Sequence, residues 1–258
     1  MIEKLKTLLW FPKRINYWRH ALSLIIRKFY KDKDSVHLRT QATDWAAKRY
    51  VSVPEALSSI GLYSLETKMD IKLPLSLINE AKLLAKNSKV IMGGAGDLDL
   101  LFAACKLSDA KKILETGVAY GWSSLAILAS ISKKNDAKLI SIDMPYPKMN
   151  NEDFVGIVVS RLLREKWDLI REPDRNGIQK AISKFGGDID LCHYDSDKSY
   201  YGRAFAYPIL WNALKSGGVF ISDDIQDNFA FKEFVEKKNL KFAVTKSEEK
   251  YIGILCKK

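Results

Sequence analysis

From Lys111 onward, short apolar runs alternate with longer stretches whose apolar residues recur at helical spacing. That alternation predicts a parallel sheet with helices on both faces, because strands buried on both sides read as continuous apolar runs. Strands are expected at Lys112–Thr116, Lys138–Asp143, Asp168–Arg171, Ile189–Asp195 and Val219–Asp223. Helices at Gly121–Ser132, Asp153–Glu165, Gly177–Phe185, Tyr201–Leu214 and Asn228–Lys238 follow each in turn. Two more strands, Lys241–Thr245 and Tyr251–Cys256, are separated only by the polar segment Lys246–Lys250. They must form a hairpin, so the last of seven strands runs antiparallel to its neighbour.

The chain before Ser88 is helical and irregular, without a convincing alternating strand. Pro54 and Pro74 stand where helices can begin, since proline is tolerated in a first turn, and Pro74–Lys86 reads as one helix. After the turn Gly93-Gly-Ala-Gly96, Asp97–Leu107 reads as another and leads into the first strand. The chain is therefore divided into a basic helical N-terminal region, 1–90, and a main domain, 91–258. Ile15 to Tyr30 places Ile15, Trp18, Ala21, Leu22, Ile25 and Ile26 near one helix face, with Arg19, Arg27 and Lys28 around the remainder. The leading expectation is packing of this helix on the main domain or on a second subunit, as in a homo-oligomer. The alternatives are peripheral contact with an anionic membrane surface and binding of a polyanionic substrate.

Charge sharpens that division. Of the net charge of +11, residues 1–50 carry twelve Lys/Arg against four Asp/Glu, so the basic character belongs to the N-terminal region. The 258 residues suffice for one substantial core. Cys105, Cys192 and Cys256 lie in apolar segments with no paired spacing, and read as reduced core residues. No apolar run approaches the roughly 20 residues of a membrane-spanning helix, and no signal-peptide pattern is present, so a cytoplasmic location is expected.

The first strand ends in Glu115-Thr-Gly-Val-Ala-Tyr-Gly121, with Trp122, Ser123 and Ser124 opening the next helix. Glycines let the backbone bend tightly and approach a ligand, and the helix start presents unpaired N–H groups. In open α/β sheets the ligand crevice lies beyond the carboxyl ends of the strands, where strand order reverses. Asp143 ends the second strand, where it can meet the ribose hydroxyls of a nucleoside cofactor or simply cap the turn. The glycines are spaced G-x-x-x-G, and not G-x-G-x-x-G as a pyrophosphate requires, so a cofactor without phosphates fits better.

Glu115-x-Gly117-x-x-x-Gly121 resembles the first motif of class I S-adenosylmethionine-dependent methyltransferases, and the closing antiparallel hairpin is similar to the ending of that fold. The resemblance spans roughly Asp97 to Cys256. It implies a Rossmann-like seven-stranded mixed sheet with helices on both faces. It also implies that Gly117, Val118, Tyr120, Gly121, Trp122 and Ser123 line the methionine side of S-adenosylmethionine, with Asp143 on the ribose. Glu115 could contact the cofactor or anchor the turn through backbone N–H groups.

The fourth strand delivers Asp195 and breaks into Ser196-Asp-Lys-Ser-Tyr200, and the fifth ends in Asp223-Asp224. Parallel neighbours end on the same side, so these carboxylates share one sheet edge. Gathered oxygen ligands without nearby soft sulfur or clustered imidazole favour a hard divalent cation, so Mg²⁺ is expected at Asp195, Asp223 and Asp224. The pattern resembles metal-dependent O-methyltransferases of the catechol and macrolide-sugar types. The sugar type reads Asp-Gly-Asp-His-Ser-Tyr where this chain has Asp195-Ser-Asp-Lys-Ser-Tyr200, and the catechol type uses a lysine three residues after the same aspartate. The resemblance implies catalytic roles for Lys198, as base, and Asp195. Against this stands a surface pairing of Lys198 with Asp197, with Asp223 and Asp224 capping the next helix. His193 shares a strand face with Asp195 and is expected to be structural. Trp122, Trp167 and Trp211 read as core residues.

The expected activity is methyl transfer from S-adenosylmethionine to a hydroxyl of a small molecule or sugar, assisted by Mg²⁺. Methylation of nucleic acid is the alternative raised by the basic N-terminal region, and a base-methylating motif after the fourth strand is missing. A non-catalytic binding protein retaining the fold is the third reading.

Overall fold

A computed structural model describes residues 14, 17–66, 71–145 and 151–258. Among the described residues five helices precede the sheet: α1 (Trp18–Arg27), which continues as a 3₁₀ segment over Lys28–Asp34, α2 (Val36–Ala47), α3 (Val53–Ser59), α4 (Leu75–Lys86) and α5 (Leu98–Leu107). The alternating part then runs β1 (Lys112–Thr116), α6 (Trp122–Ile131), β2 (Lys138–Ile142), β3 (Trp167–Ile170), α7 (Asp174–Phe185), β4 (Ile189–Tyr194), α8 (Tyr200–Ala213), β5 (Leu214–Ser222), α9 (Ala230–Lys237), β6 (Phe242–Ser247) and β7 (Lys250–Cys256).

The seven strands form one sheet in the order β3-β2-β1-β4-β5-β7-β6. The first five are parallel, and β7 lies antiparallel between β5 and β6. The expected Rossmann-like mixed sheet with an antiparallel last strand is therefore present. Strand order reverses at β1, because the chain builds outward through β2 and β3 and then crosses to β4 on the other side. The crevice beyond the ends of β1 and β4 is the switch point where such sheets bind ligands.

Two apolar clusters cover the two faces of the sheet. One packs α5, α6 and α3 against Ile113, Leu139 and Leu191. The other packs α7, α8, α9 and Trp45 of α2 against Leu114, Cys192 and Phe220. The N-terminal helices thus share these cores. The chain also tucks against the edge strand through a Tyr50–Val244 bridge, with Val51 N donating to Val244 O at 2.9 Å. Helix α3 starts with a reciprocal cap: Ser52 accepts from Glu55 N while Glu55 accepts from Ser52 N, with Pro54 in the first turn.

Three expectations change. The helix expected over Asp153–Glu165 is replaced by short 3₁₀ turns at Glu152–Phe154 and Leu163–Lys166. Gly156 sits at φ +72° with the Trp167 ring against it, where a Cβ would lie 2.3 Å from the ring, so no helix can pass through. The segment turns its N–H groups on the turn after β1, Gly156 N donating to Ala119 O at 2.9 Å and Val158 N to Tyr120 O at 3.1 Å. The second change concerns α1: its apolar face, with Trp18, Leu22 and Ile25 exposed, points outward, and packing uses the opposite face. Ile15, expected in that helix, lies outside the described residues. Residues 146–150, which follow β2, also lie outside them. Third, β5 begins at Leu214 rather than Val219, because α8 ends at Ala213 and runs directly into it. Among the described residues no helix is long and apolar enough to cross a membrane.

Candidate active site

The turn after β1 is held in a shape that needs its glycines. Gly117 lies at φ +81°, Ala119 at +49° and Gly121 at +89°. A Cβ on Gly117 would fall 2.2 Å from the Asp195 carbonyl oxygen, so the backbone of β1 approaches that of β4 as closely as glycine permits. Asp143 pins the turn: its Oδ2 accepts from Val118 N at 2.8 Å and Ala119 N at 3.1 Å. Its Oδ1 accepts from Arg171 Nη1 at 2.6 Å. The sequence reading missed Arg171, which stands one residue beyond β3 and so at the same sheet edge as Asp143.

Glu115 is fully buried behind the turn. Its Oε2 accepts from Ser124 Oγ at 2.5 Å and Ser141 Oγ at 2.6 Å, and Ser141 in turn accepts from Trp167 Nε1 at 2.8 Å. Glu115 anchors α6 and β2 through hydroxyl groups rather than through backbone N–H groups. His193, also fully buried, stands between two carboxylates, with Nδ1 3.5 Å from Glu115 Oε1 and Nε2 3.2 Å from Asp223 Oδ1. Burial opposes a charge on the ring, but the two carboxylates outweigh it and push the imidazole up to about 10. That setting favours the protonated ring, which lies between the two carboxylates behind the turn.

At the ends of β4 and β5, Lys198 lies with Nζ 3.3 Å from Asp195 Oδ1 and in direct contact with Asp224 Oδ2. The alternative pairing with Asp197 does not occur. Asp197 Oδ1 instead accepts from Ser199 N and Oγ, at 3.1 and 2.7 Å, and meets Arg27 at 3.4 Å. Nor do Asp223 and Asp224 cap the next helix, whose N-cap is Phe229. Burial works against the Lys198 ammonium, yet Asp195 and Asp224 more than compensate and hold it well above its ordinary range. Asp195 moves the other way from an exposed carboxyl. Burial first, and the Asp223 charge second, push it up to about 6 against the opposing pull of Lys198.

Arg203, missed from the sequence, is the strut beneath this cluster. Fully buried on α8, it donates from Nη2 to the carbonyls of Asp223, at 3.2 Å, and Asp224, at 2.7 Å, and from Nη1 to Asn228 Oδ1 at 3.3 Å. Asp224 occupies left-handed backbone at φ +51°, and these bonds hold the turn there. The available signal was a charged residue on the apolar stripe of α8, three, four and seven positions before Ala206, Tyr207 and Leu210.

The Mg²⁺ expectation meets a different arrangement. Lys198 joins Asp195 to Asp224, and Asp223 is turned toward His193, so each carboxylate already faces an organic cation. Among the described residues no group of three or more His, Cys, Asp or Glu is disposed to hold a metal ion. As arranged, the three carboxylates do not fit a shared metal site.

A cleft of about 610 Å³ opens over these strand ends. It brings together Gly117, Val118, Asp143, Asp195 and Lys198 of the expected site. Glu115, Tyr120, Gly121, Trp122, Ser123, Asp223 and Asp224 do not line it. Tyr120 donates its hydroxyl to Val90 O at 2.8 Å, and Trp122 packs on the core cluster of α5 and α6. The cleft also takes in Asp174, Arg175, Phe205 and, from α1, His20, Leu24 and Arg27, none of which the sequence reading singled out. Burial pushes the Asp174 carboxyl up to about 6, and Ser196 Oγ donates to it at 2.5 Å.

Residues 114–225 match a family model described as a methyltransferase domain. No curated protein matches the chain in sequence. Solved structures with the same architecture include an O-methyltransferase from Bacillus cereus in complex with SAH, 14% identical with a TM-score of 0.59, covering 81% of this chain and 98% of that one. An SAH-bound methyltransferase from Podospora anserina, PaMTH1, is 15% identical with a TM-score of 0.52, over 72% of this chain and 89% of its own. A methyltransferase from Geobacter sulfurreducens is 13% identical with a TM-score of 0.52, over 74% and 93%. Residues 114–225 are thus similar to a methyltransferase domain, and the sheet that holds them has the architecture of these solved structures.

Proposed function

We propose that the protein is an S-adenosylmethionine-dependent O-methyltransferase acting on a hydroxyl of a small molecule or sugar. The observation that carries this reading is one cleft bordered both by the Gly117–Ala119 turn and by the Asp195–Lys198 pair. A cleft of about 610 Å³ is of the size that small-molecule and cofactor sites use, and Gly117, Val118 and Ala119 of the strained turn form one of its walls. Gly117 and Val118 would hold the cofactor along the turn, with Asp143 toward the ribose. Glu115 supports the turn from behind through Ser124 and Ser141. Bound there, the cofactor supplies an electrophilic methyl group on its sulfonium.

The chain's own residues then have separable tasks. The Lys198 ammonium, kept charged by Asp195 and Asp224, orients the acceptor oxygen and stabilises the negative charge that grows on it. With that lysine protonated, Asp195 is the member of the pair able to take the hydroxyl proton near neutral pH. Lys198 thus acts by charge in this reading, not as the base.

Calorimetric titration with S-adenosylmethionine should give saturable binding, and its absence would remove the proposal. Turnover on a panel of catechol and sugar hydroxyls should fall about 100-fold or more in Lys198→Met, with cofactor affinity unchanged. Running the same assay in EDTA separates two sources of positive charge. Undiminished turnover assigns it to Lys198 alone, and lost turnover restores the Mg²⁺ that the resemblance implies.

A further inference from the structure

Helix α1 has two unlike faces. Inward, Tyr17 Oη at its start donates to Arg171 O at 3.0 Å, Ser23 is buried, and His20, Leu24 and Arg27 line the cleft. Outward, Trp18, Leu22, Ile25 and Phe29 recur at spacings of four, three and four and remain 59, 57, 57 and 84% exposed. At 100° per residue Trp18, Leu22 and Ile25 fall within an arc of about 60°, opposite the cleft-lining residues, and Phe29 follows in the 3₁₀ continuation. Arg19 and Lys28 flank the stripe on its two sides, and Lys31 and Lys33 follow it. Contiguous exposed aromatic and aliphatic residues of this kind mark an interaction surface rather than scattered surface apolarity.

We propose that this face docks the protein on an anionic phospholipid bilayer. Trp18, Leu22, Ile25 and Phe29 enter the headgroup boundary while Arg19, Lys28 and Lys31 lie among the lipid phosphates. Charge selects this occupant. Residues 1–50 hold twelve Lys/Arg against four Asp/Glu, with Lys4, Lys6, Lys13 and Glu3 among them before α1. A second copy of α1 laid on the stripe would bring the same flanking cations together. A negatively charged surface accepts the apolar stripe and attracts its flanks at once, each basic residue near it raising partitioning about fivefold. Because the opposite face of α1 lines the cleft, docking would set that cleft directly behind the bound helix.

The test uses the full chain in flotation with phosphatidylcholine vesicles, with and without phosphatidylglycerol. The protein should float only with the anionic vesicles, and binding should collapse in about 1 M salt, where the screening length shrinks to about 3 Å. Leu22→Glu combined with Ile25→Glu should lower partitioning about 100-fold or more, with thermal midpoint and S-adenosylmethionine affinity unchanged. Wild-type protein that stays unbound overturns the proposal, as does a double variant that floats like wild type. A wild-type dimer that the double variant dissociates, without vesicle binding, overturns it in favour of a second copy.

Discussion

Gly117→Ala tests whether the close approach of β1 and β4 builds the cofactor turn. Position 117 is at φ +81°, where an L-residue costs about 1–2 kcal/mol relative to glycine. The new Cβ would sit 2.2 Å from Asp195 O and 2.7 Å from its carbonyl carbon, both backbone atoms that cannot swing aside. Ordinary contact requires the two strand ends to part by about 1 Å, in an interior with few voids to absorb the motion. Asp195 N to Thr116 O, 2.9 Å, joins those two ends, and Gly117 N to Ile142 O, 2.8 Å, ties the first of them to β2. Losing one adds about 1 kcal/mol or more, for a total of about 2–4 kcal/mol. For a chain of this size that lowers the melting temperature by roughly 5–15 °C. Because Val118 and Asp195 flank the parted strands and line the cleft, S-adenosylmethionine affinity should also fall at least about tenfold. Paired scanning calorimetry and ligand titration read both quantities. A variant with wild-type melting and wild-type affinity would refute the reasoning, since neither the backbone strain nor the close approach would then matter.

His193→Leu leaves Glu115 and Asp223 buried without their shared cation, and should destabilise the fold by about 3–5 kcal/mol in urea. The imidazole is pushed above its unfolded value to about 10, so the wild type holds this contribution fully below about pH 6.5 and loses it as pH rises through about 10. A urea midpoint that stays level across that window in both proteins would show that no imidazolium is present. Arg203→Leu removes charge-assisted bonds to the carbonyls of Asp223 and Asp224 and should cost about 1.5–3 kcal/mol, while cofactor affinity holds; unchanged stability would deny its role as a strut. Asp143→Asn replaces the carboxylate that two turn N–H groups and Arg171 share, and should weaken S-adenosylmethionine binding about 10- to 100-fold. Full affinity in a calorimetric titration would show that the turn holds itself.

What could be read from the chain follows from which forces are local. Ile113, Leu114, Leu139, Ile140, Leu191 and Cys192 are buried on both sheet faces, so their strands appear as unbroken apolar runs and needed no tertiary knowledge to find. Asp143, Asp195 and Asp223 were placed at one sheet edge because parallel strands end together. Gly156 defeated the helix expected around it because the deciding contact, the Trp167 ring, comes from a different element. Helix α1 packs on the main domain as expected, but through its other face. Its periodicity located the apolar face correctly, but amphipathicity reports which side is apolar and not which side meets protein. The inward side is held by Tyr17, Ser23 and Arg27, through a hydroxyl bond, burial of a small residue and an ion pair with Asp197.

The acidic cluster shows the same boundary at the site itself. Three aspartates at adjacent strand ends require positive charge nearby, and sequence alone can state that requirement without naming the cation. A divalent ion is one solution. The fold supplies another from residues that lie far apart in the chain or on neighbouring elements: His193 behind Asp223, Lys198 between Asp195 and Asp224, and Arg203 under the carbonyls of the same turn. Each is worth most where water is excluded, since unpaired charge costs most there. The fully buried His193 and Arg203 therefore answer to stability. Lys198, with its side chain still 43% exposed at the cleft, is the cation of the three positioned to answer to a substrate.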